Sequence, residues 1–121
     1  MSETVAVLGA SPNPERYSNK AVRLLREHGH TVLPVNPAQA EIEGLPVVPS
    51  VEALPRGIDT VTVYVGPRHS GALLPGLLAL APRRVIFNPG AENPALQQAL
   101  ADAGIAVEEA CTLVLLRTGQ F

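Results

Sequence analysis

The sequence predicts an α/β fold: a Rossmann-like, doubly wound, mainly parallel sheet with helices on both faces. Strand-like and helix-like segments alternate along the whole chain, which is typical of βαβ units. The first strand-like run ends in a glycine turn that leads directly into a helix-like segment. Gly29 and Gly104 follow two of the helix-like segments, as expected of residues that end helices.

In the first part of the chain, apolar runs and turn residues predict two strands and one helix. The first strand is expected over Thr4–Leu8, and apolar residues at helical spacing predict the first helix over Ser18–His28. The second strand is expected over Thr31–Val35. Because proline cannot donate to a β-ladder, Pro34 predicts either that this strand lies at the edge of the sheet or that it contains a local break.

The middle of the chain is predicted to be a connection followed by a strand and a helix. Glu43–Pro49 is expected to be extended, and Ser50 to cap a helical turn over Val51–Leu54. β-Branched residues predict a strand over Asp59–Val65. Pro67 is expected to begin a helix that reaches about Leu80. Three residues inside that helix weaken it: Gly71, Pro75 and Gly76.

The last part of the chain continues the alternation. A strand is expected over Arg84–Phe87, a helix from Pro94 to about Ala103, and a final strand over Ile105–Val107. The apolar segment Cys111–Leu116 fits a strand, a helix end or a packing segment, and the sequence leaves these three open.

Composition restricts the class of protein. A chain of 121 residues, 46% hydrophobic and 17% charged, is expected to form one domain over residues 1–121. A net charge of −2 and only four aromatic residues, two tyrosines and two phenylalanines, argue against nucleic acid as a partner. No apolar run approaches the roughly 20 residues that span a bilayer. With its one cysteine and no secretory signal pattern, the chain is expected in the cytoplasm, away from membranes.

Four loops that follow predicted strands are the candidate ligand positions, because open parallel sheets bind ligands beyond the carboxyl ends of their strands. They are Gly9–Ser11, Asn36–Pro37, Gly66–His69 and Asn88–Gly90. The glycine turn directs backbone N–H groups and the start of the next helix to one point, which is typical of phosphate sites. Only the first glycine of G-x-G-x-x-G is present, and Asn36 replaces the usual acidic residue, so NAD is disfavoured.

Basic residues follow the glycine turn at high density: Arg16, Lys20, Arg23 and Arg26. The first two lie nearest the predicted phosphate site and are candidates to bind it. The other two are explained equally well as part of a solvated helix face.

Several short motifs occur in a distinctive order. They are Gly9-Ala10-Ser11-Pro12-Asn13-Pro14, Arg16-Tyr17-Ser18-Asn19, Val35-Asn36-Pro37, Asn88-Pro89-Gly90-Ala91-Glu92-Asn93 and Cys111-Thr112-Leu113. With these motifs the chain resembles, over essentially its full length, the small stand-alone CoA-binding proteins. Those proteins are similar in fold to the CoA-binding domains of the succinyl-CoA synthetase alpha subunit and of the NDP-forming acyl-CoA synthetases. The resemblance implies coenzyme A as the cofactor.

The resemblance also implies which residues contact CoA. The phosphates would be wrapped by the backbone amides and hydroxyl of Gly9, Ala10 and Ser11. Further donors would come from the start of the first helix: Arg16, Ser18, Asn19 and Lys20. The adenosine would be bordered by Asn36 and Pro37. The opposite wall would be lined by Val65, Gly66 and Pro67, with Arg68 beside them. In the synthetase relatives a basic residue just after the asparagine-proline step helps hold the ribose 3′-phosphate, whereas this chain has Ala38-Gln39-Ala40 there.

Catalysis on a CoA-like or nucleotide substrate is an alternative, with His69, Glu92 and Cys111 as candidate groups. Each has a plainer explanation: a polar cap for His69, helix capping for Glu92, and a small buried hydrophobe for Cys111. Cys111 also fits a mixed disulfide with the CoA thiol. Glu108 and Glu109 are adjacent in a strand and should point to opposite faces. No group of residues has the spacing of metal ligands, so no metal is expected.

We therefore expect a chain that binds CoA or an acyl-CoA without catalysis, as a carrier, sensor or regulatory protein. The ligase relatives carry a phosphorylated histidine in a following domain, for which this chain lacks space. The chain could instead supply the CoA site of a larger acyl-CoA ligase assembly. The apolar segment Leu113–Leu116 leaves a protein partner or a homo-oligomer open.

Overall fold

Seven strands and five helices make up the computed structural model, which describes residues 2–121. The strands are β1 (Thr4–Leu8), β2 (Thr31–Val35), β3 (Glu41–Ile42), β4 (Leu45–Pro46), β5 (Thr60–Val63), β6 (Arg84–Phe87) and β7 (Ala106–Glu109). The helices are α1 (Tyr17–Glu27), α2 (Pro67–Ser70), α3 (Leu74–Leu80), α4 (Pro94–Asp102) and α5 (Thr112–Arg117). Two short 3-10 turns cover Val51–Ala53 and Gly71–Leu73.

The main sheet has five strands in the order β2-β1-β5-β6-β7, and every neighbouring pair is parallel. The chain passes from β1 outward to β2 and then returns to β5 on the other side of β1. The direction of winding therefore reverses between β1 and β5, which is the place where doubly wound sheets hold their ligands. The short strands β3 and β4 form a separate antiparallel hairpin.

Both faces of the sheet are covered, because successive side chains of a strand point to opposite sides. On β1, Val5 and Val7 pack into one core cluster with residues of α1 and α5: Val22, Leu25 and Leu116. Ala6 and Leu8 pack into a second cluster with residues of α3 and α4: Leu77, Leu96 and Leu100. This arrangement confirms the doubly wound α/β fold.

Several predicted elements have the expected bounds and others differ by a few residues. The bounds of β1, β2 and β6 are those expected, whereas α1 begins and ends one residue earlier. Strand β5 is shorter than expected, and β7 extends to Glu109. Strand β2 pairs with β1 on one side only, which is the first of the two alternatives that Pro34 predicted. Val48 makes one isolated bridge to the free edge of β2. The last apolar segment, left open by the sequence, forms α5.

Two connections differ from the expectation for physical reasons. The helix expected from Pro67 to Leu80 is split into α2, a 3-10 turn and α3. Pro75 has no N–H group, so a continuous helix would leave the Gly71 carbonyl without its bond. The segment expected to be extended is a hairpin instead, and its turn residues Glu43 and Gly44 both have positive φ angles, 51° and 76°. Ser50 begins the next helical turn, but its side chain makes no capping bond.

No helix within residues 2–121 combines the length and the apolar character that crossing a bilayer requires.

Two adjacent leucines in α3 allow the packing of this helix against the sheet to be tested. Replacing Leu77, which is fully buried, with alanine is expected to lower the free energy of unfolding by about 2–5 kcal/mol. The matched change Leu78→Ala, at a side chain that is 41% exposed, should cost about 1 kcal/mol or less. Urea denaturation of both variants provides the comparison, and equal losses would contradict this arrangement of α3.

Candidate functional site

A cleft of about 400 Å³ opens where β1, β2 and β5 end and α1 begins. It is lined by Gly9, Ala10, Ser11, Arg16, Tyr17, Ser18, Asn36 and Tyr64. The cleft therefore lies at the point where the winding of the sheet reverses. Six predicted site residues meet here, and the sequence prediction missed Tyr17 and Tyr64 as parts of the wall.

Gly9 permits the first wall of the cleft to lie close to β5. Its φ angle is +81°, and a Cβ atom at this position would lie 3.2 Å from the carbonyl carbon of Tyr64 and from the backbone nitrogen of Val65. Side chains are disfavoured by the backbone angle and again by the contact with backbone atoms. Glycine at the end of β1 is thus required for the shape of the cleft.

The backbone amides of Gly9 and Ala10 are bonded within the protein. Both donate to the same acceptor, the carbonyl oxygen of Val35, with N···O distances of 3.2 Å. β2 uses these two amides to hold the end of β1, so the donors expected to wrap a phosphate are engaged within the protein. Gly9 and Ala10 contribute to the cleft through their position in its wall.

Further backbone donors lie at the start of α1, where Tyr17 and Ser18 line the cleft. The amides of the first helical turn, Tyr17 to Asn19, have no carbonyl one turn earlier to bond with. Arg16 occupies the N-cap position, and its side chain makes no capping bond. The partial positive charge of the helix N-terminus and the exposed guanidinium of Arg16 thus adjoin the same space.

Asn36 shapes the floor of the cleft. Its side-chain nitrogen donates to the carbonyl oxygen of Ala10 at 2.8 Å, and its Oδ1 accepts from the backbone amide of Ala38 at 2.7 Å. The nitrogen end thus joins the loop after β2 to the turn at Ala10, and the oxygen end closes a local turn. Pro37, which follows, is exposed and lies outside the residues that line the cleft.

The side chain of Asn19 has a structural role in the loop before α1. Its side chain is completely buried and donates to the carbonyl oxygen of Ser11 at 2.9 Å and to Oε2 of Glu43 at 3.0 Å. Its Oδ1 accepts from Nε of Arg23 at 2.8 Å, and Arg23 also donates to the carbonyl oxygen of Pro14 at 3.0 Å. Asn19 and Arg23 together fix the loop that leads from Ser11 to α1.

The other basic residues of α1 lie apart from the cleft wall. Arg26 donates to the backbone carbonyl of Glu43, in the turn of the β3–β4 hairpin. Lys20 is half-buried, and its ammonium lies over the ring of Tyr17, 5.3 Å from the ring centroid. Lys20 is therefore next to the cleft without forming its wall.

The residues predicted for the opposite wall are only partly brought to the cleft. Val65 packs against the core, whereas the three residues that follow it, Gly66, Pro67 and Arg68, are exposed at the start of α2. Tyr64 takes the place predicted for them in the wall. The sequence signal that could have identified Tyr64 was its position, because it is a large residue directly after the run of Val and Thr in β5.

The hydroxyl of Tyr64 is buried and has no hydrogen-bond partner among residues 2–121. It lies near a chain of buried polar groups. Thr62 and Thr112 join their hydroxyls at 2.7 Å, while Asn88 donates to Thr62 at 2.6 Å and accepts from the Thr112 amide at 2.9 Å. Burial raises the pKa of Tyr64 well above its usual value, more than the nearby Thr hydroxyls lower it.

The candidate acids, bases and nucleophile are placed outside the cleft wall. His69 is exposed on α2, and Glu92 accepts from the backbone amide of Gly90 at 2.8 Å, which closes a local turn. Cys111 is half-buried at the N-cap of α5. Glu108 pairs with Arg84 and Glu109 accepts from Gln97, so the two carboxylates face different partners as predicted. Within the described chain, no three His, Cys, Asp or Glu residues are grouped closely enough to hold a metal ion.

A family model described as CoA binding domain matches residues 3–117. The chain belongs to this family. Membership confirms the resemblance on which the motifs were interpreted, and it covers nearly the whole of the described fold.

The chain is also similar to individual proteins of known sequence or structure. Acetate–CoA ligase (ADP-forming) I of Archaeoglobus fulgidus is 40% identical over 63 residues, which are 52% of this chain and 9% of the ligase. The uncharacterized protein YneT of Bacillus subtilis is 33% identical over 63 residues, 52% of this chain and 47% of YneT. The matched segment thus spans less than half the length of each curated relative. A crystal structure of an uncharacterized protein has a TM-score of 0.95 at 37% identity, covering 100% of this chain and 99% of that one.

Two glycines with positive φ angles allow the cost of the backbone angle to be distinguished from the cost of the close approach to β5. Gly9→Ala is expected to lower the free energy of unfolding by about 2–4 kcal/mol, because it adds a backbone clash to the unfavourable φ. Gly29→Ala, at φ +85° with no atom within 4 Å of the new Cβ, should cost only about 1 kcal/mol. Thermal or chemical denaturation compares the two losses, and a loss at Gly9 no larger than that at Gly29 would refute the close approach to β5.

Tyr64 should make stability sensitive to alkaline pH. Its folded-state pKa is raised above the ordinary 10.0, so ionisation favours the unfolded chain, and stability should fall as pH rises from about 10. Tyr64→Phe removes this loss. Because the hydroxyl has no partner, the variant should be as stable as the parent at pH 7, or about 1 kcal/mol more stable. Unfolding measured from pH 7 to 11 tests this, with Tyr17→Phe, at an exposed tyrosine, as the control.

Proposed function

We propose that this chain binds coenzyme A or an acyl-CoA in the cleft at the start of α1, and that it serves as a carrier, sensor or regulatory protein without catalysis. A CoA molecule carries a pyrophosphate, and its phosphates need donors and positive charge. One structural observation carries the proposal: the first turn of α1 has no side-chain cap and lies beside the Arg16 guanidinium. Membership of the CoA-binding family supports it.

The hydroxyl-bearing residues of the cleft complete the set of donors. Ser11 and Ser18 both line it, on either side of the loop that Asn19 holds in place. The Ser11 oxygen already accepts from the Asn13 amide at 3.1 Å, which leaves its hydroxyl hydrogen available to donate. The phosphates would therefore be bound by α1 and the loop before it, with Gly9 and Ala10 shaping the wall.

The side chains around the cleft favour binding over chemistry. A general acid or base must lie within about 3 Å of the proton that it transfers. The ionisable residues that line the cleft are Arg16, Tyr17 and Tyr64, and Tyr64 is held in its neutral form by burial. His69, Glu92 and Cys111 lie outside this lining. A cytoplasmic location, expected from the single cysteine, is part of the same proposal.

The likeness to acetate–CoA ligase supports a second candidate function. The chain would then supply the CoA site of a larger acyl-CoA ligase assembly, with the remaining chemistry performed by a partner. Incubating the purified chain with acetyl-CoA and analysing the ligand by mass spectrometry separates an enzyme from a binder. Unchanged acetyl-CoA supports the carrier, sensor or partner-dependent roles, whereas hydrolysed or transferred product would contradict a function without catalysis.

Isothermal titration with CoA, ATP and NAD tests the proposal. We expect CoA to bind and NAD to give no heat, and Arg16→Met to weaken CoA by about fivefold to tenfold through the loss of a charge-assisted contact to phosphate. Arg56→Met removes the same charge from a side chain that is exposed near α3, and should leave CoA affinity unchanged. Absence of heat with CoA at high-micromolar concentration would overturn the proposed function.

A further inference from the structure

The helix layer on one face of the sheet is nearly free of charge. Helices α3 and α4 form this layer, and their inward side chains pack into one core cluster. No charged residue occurs between Ser70 and Pro82, and Asp102 is the one charged residue of α4. On the opposite face, helix α1 alone has four charged residues: Lys20, Arg23, Arg26 and Glu27. Since an exposed helix face normally carries polar or charged residues, the absence of charge on α3 sets this layer apart.

The outward face of α3 is apolar as well as uncharged. Pro75, Leu78 and Ala79 are exposed at the spacing of one helix face, and Leu78 is 41% exposed. Ala72, in the 3-10 turn before α3, is exposed too. A helix that is apolar on its outer face as well as its inner face is typical of one covered by another protein surface.

Two opposite charges border this face without pairing. A groove of about 220 Å³ lies between α3 and the 3-10 turn over Val51–Ala53, and its lining includes Ala79, Glu52 and Arg56. The Glu52 carboxylate lies against α3, because a Cβ atom at Gly76 would be 2.6 Å from its Oε2. Glu52 and Arg56 are both exposed, and neither forms an ion pair with any residue in 2–121. Each can therefore meet a charge on a partner.

We propose that the outward face of α3 binds a second copy of this chain in a two-fold symmetric dimer. In such a dimer the same patch of both copies meets itself, and an uncharged patch does so without like-charge repulsion. Glu52 of one copy lies opposite Arg56 of the other, and the reciprocal pair forms across the axis. A partner for this face needs an apolar centre with one carboxylate and one guanidinium at its rim, and the same face of a second copy supplies all three.

The apolar segment Leu113–Leu116 is a less suitable surface for such a contact. Three of its four side chains are buried in the fold, and only Val114 is exposed, at 51%. Arg117 follows one turn later on α5 and lines a groove with Lys20 and Arg23 of α1. A two-fold contact through α5 would bring these cations against their own copies, which opposes association.

Sedimentation of the parent chain and two variants over a wide range of concentrations tests the choice of face. A contact through one short helix and its rim lies at the small end of interface sizes, so we expect the parent to dimerise with a dissociation constant in the micromolar range or weaker. Leu78→Glu, which places a carboxylate at the centre of the contact, should weaken the dimer by at least about tenfold. Val114→Glu, the matched change at the exposed position on α5, should leave it unchanged. Equal melting temperatures at dilute concentration establish that both variants fold.

A charge exchange tests the two-fold geometry. Glu52→Arg and Arg56→Glu each leave only like charges at the rim, so either change alone should weaken the dimer by about fivefold. The double variant restores opposite charges and should regain the dissociation constant of the parent.

Three outcomes would overturn the inference, and all are independent of CoA binding. A parent that stays monomeric at every concentration excludes the dimer. A Leu78→Glu variant that dimerises as tightly as the parent, or a Val114→Glu variant that loses the dimer in its place, excludes the α3 face. A double variant that associates as weakly as the single variants excludes the pairing of Glu52 with Arg56.

Discussion

Two backbone hydrogen bonds to one acceptor, the carbonyl oxygen of Val35, determine the shape of the cleft. They turn the chain sharply at Gly9 and Ala10 and hold the end of β1 beside the end of β2. The turn brings Gly9 against β5 and directs the Ala10 carbonyl toward Asn36, whose side chain bonds to it. These bonds determine the path of the loop into α1 and therefore the position of the helix N-terminus.

These two hydrogen bonds give the turn and helix α1 different roles in the cleft. Because Val35 occupies the amides of Gly9 and Ala10, the turn forms a frame for the cleft, and the anion-binding groups that we propose are the first turn of α1 and Arg16. Buried polar side chains support that frame from both sides: Asn19 beneath the loop, and Thr62, Asn88 and Thr112 beneath Tyr64. Buried polar groups of this kind are costly unless they are bonded, so they restrict the arrangements that the surrounding loops can adopt.

The fold was predictable from the sequence to the extent that its signals are local. Apolar runs ended by Gly9, Asn36 and Asn88 gave the bounds of β1, β2 and β6, and glycine marked the ends of α1 and α4. The segment of α5 is too short and too uniformly apolar to show a period, so only packing against α1 decides its structure. The roles of Asn19 and Tyr64 depend on Glu43 and Thr112, which are distant along the chain. For the same reason the acceptor of the Gly9 and Ala10 amides could not be identified from the sequence.

The hydrogen bond between Asn19 and Glu43 connects helix α1 to the β3–β4 hairpin. The side-chain nitrogen of Asn19 donates both to the Ser11 carbonyl and to the Glu43 carboxylate, and Arg26, about two turns further along α1, donates to the Glu43 carbonyl. Asn19 therefore joins the tip of the β3–β4 hairpin to the loop that carries Ser11, one of the residues that line the cleft. The hairpin tip and the cleft wall thus depend on the same buried side chain.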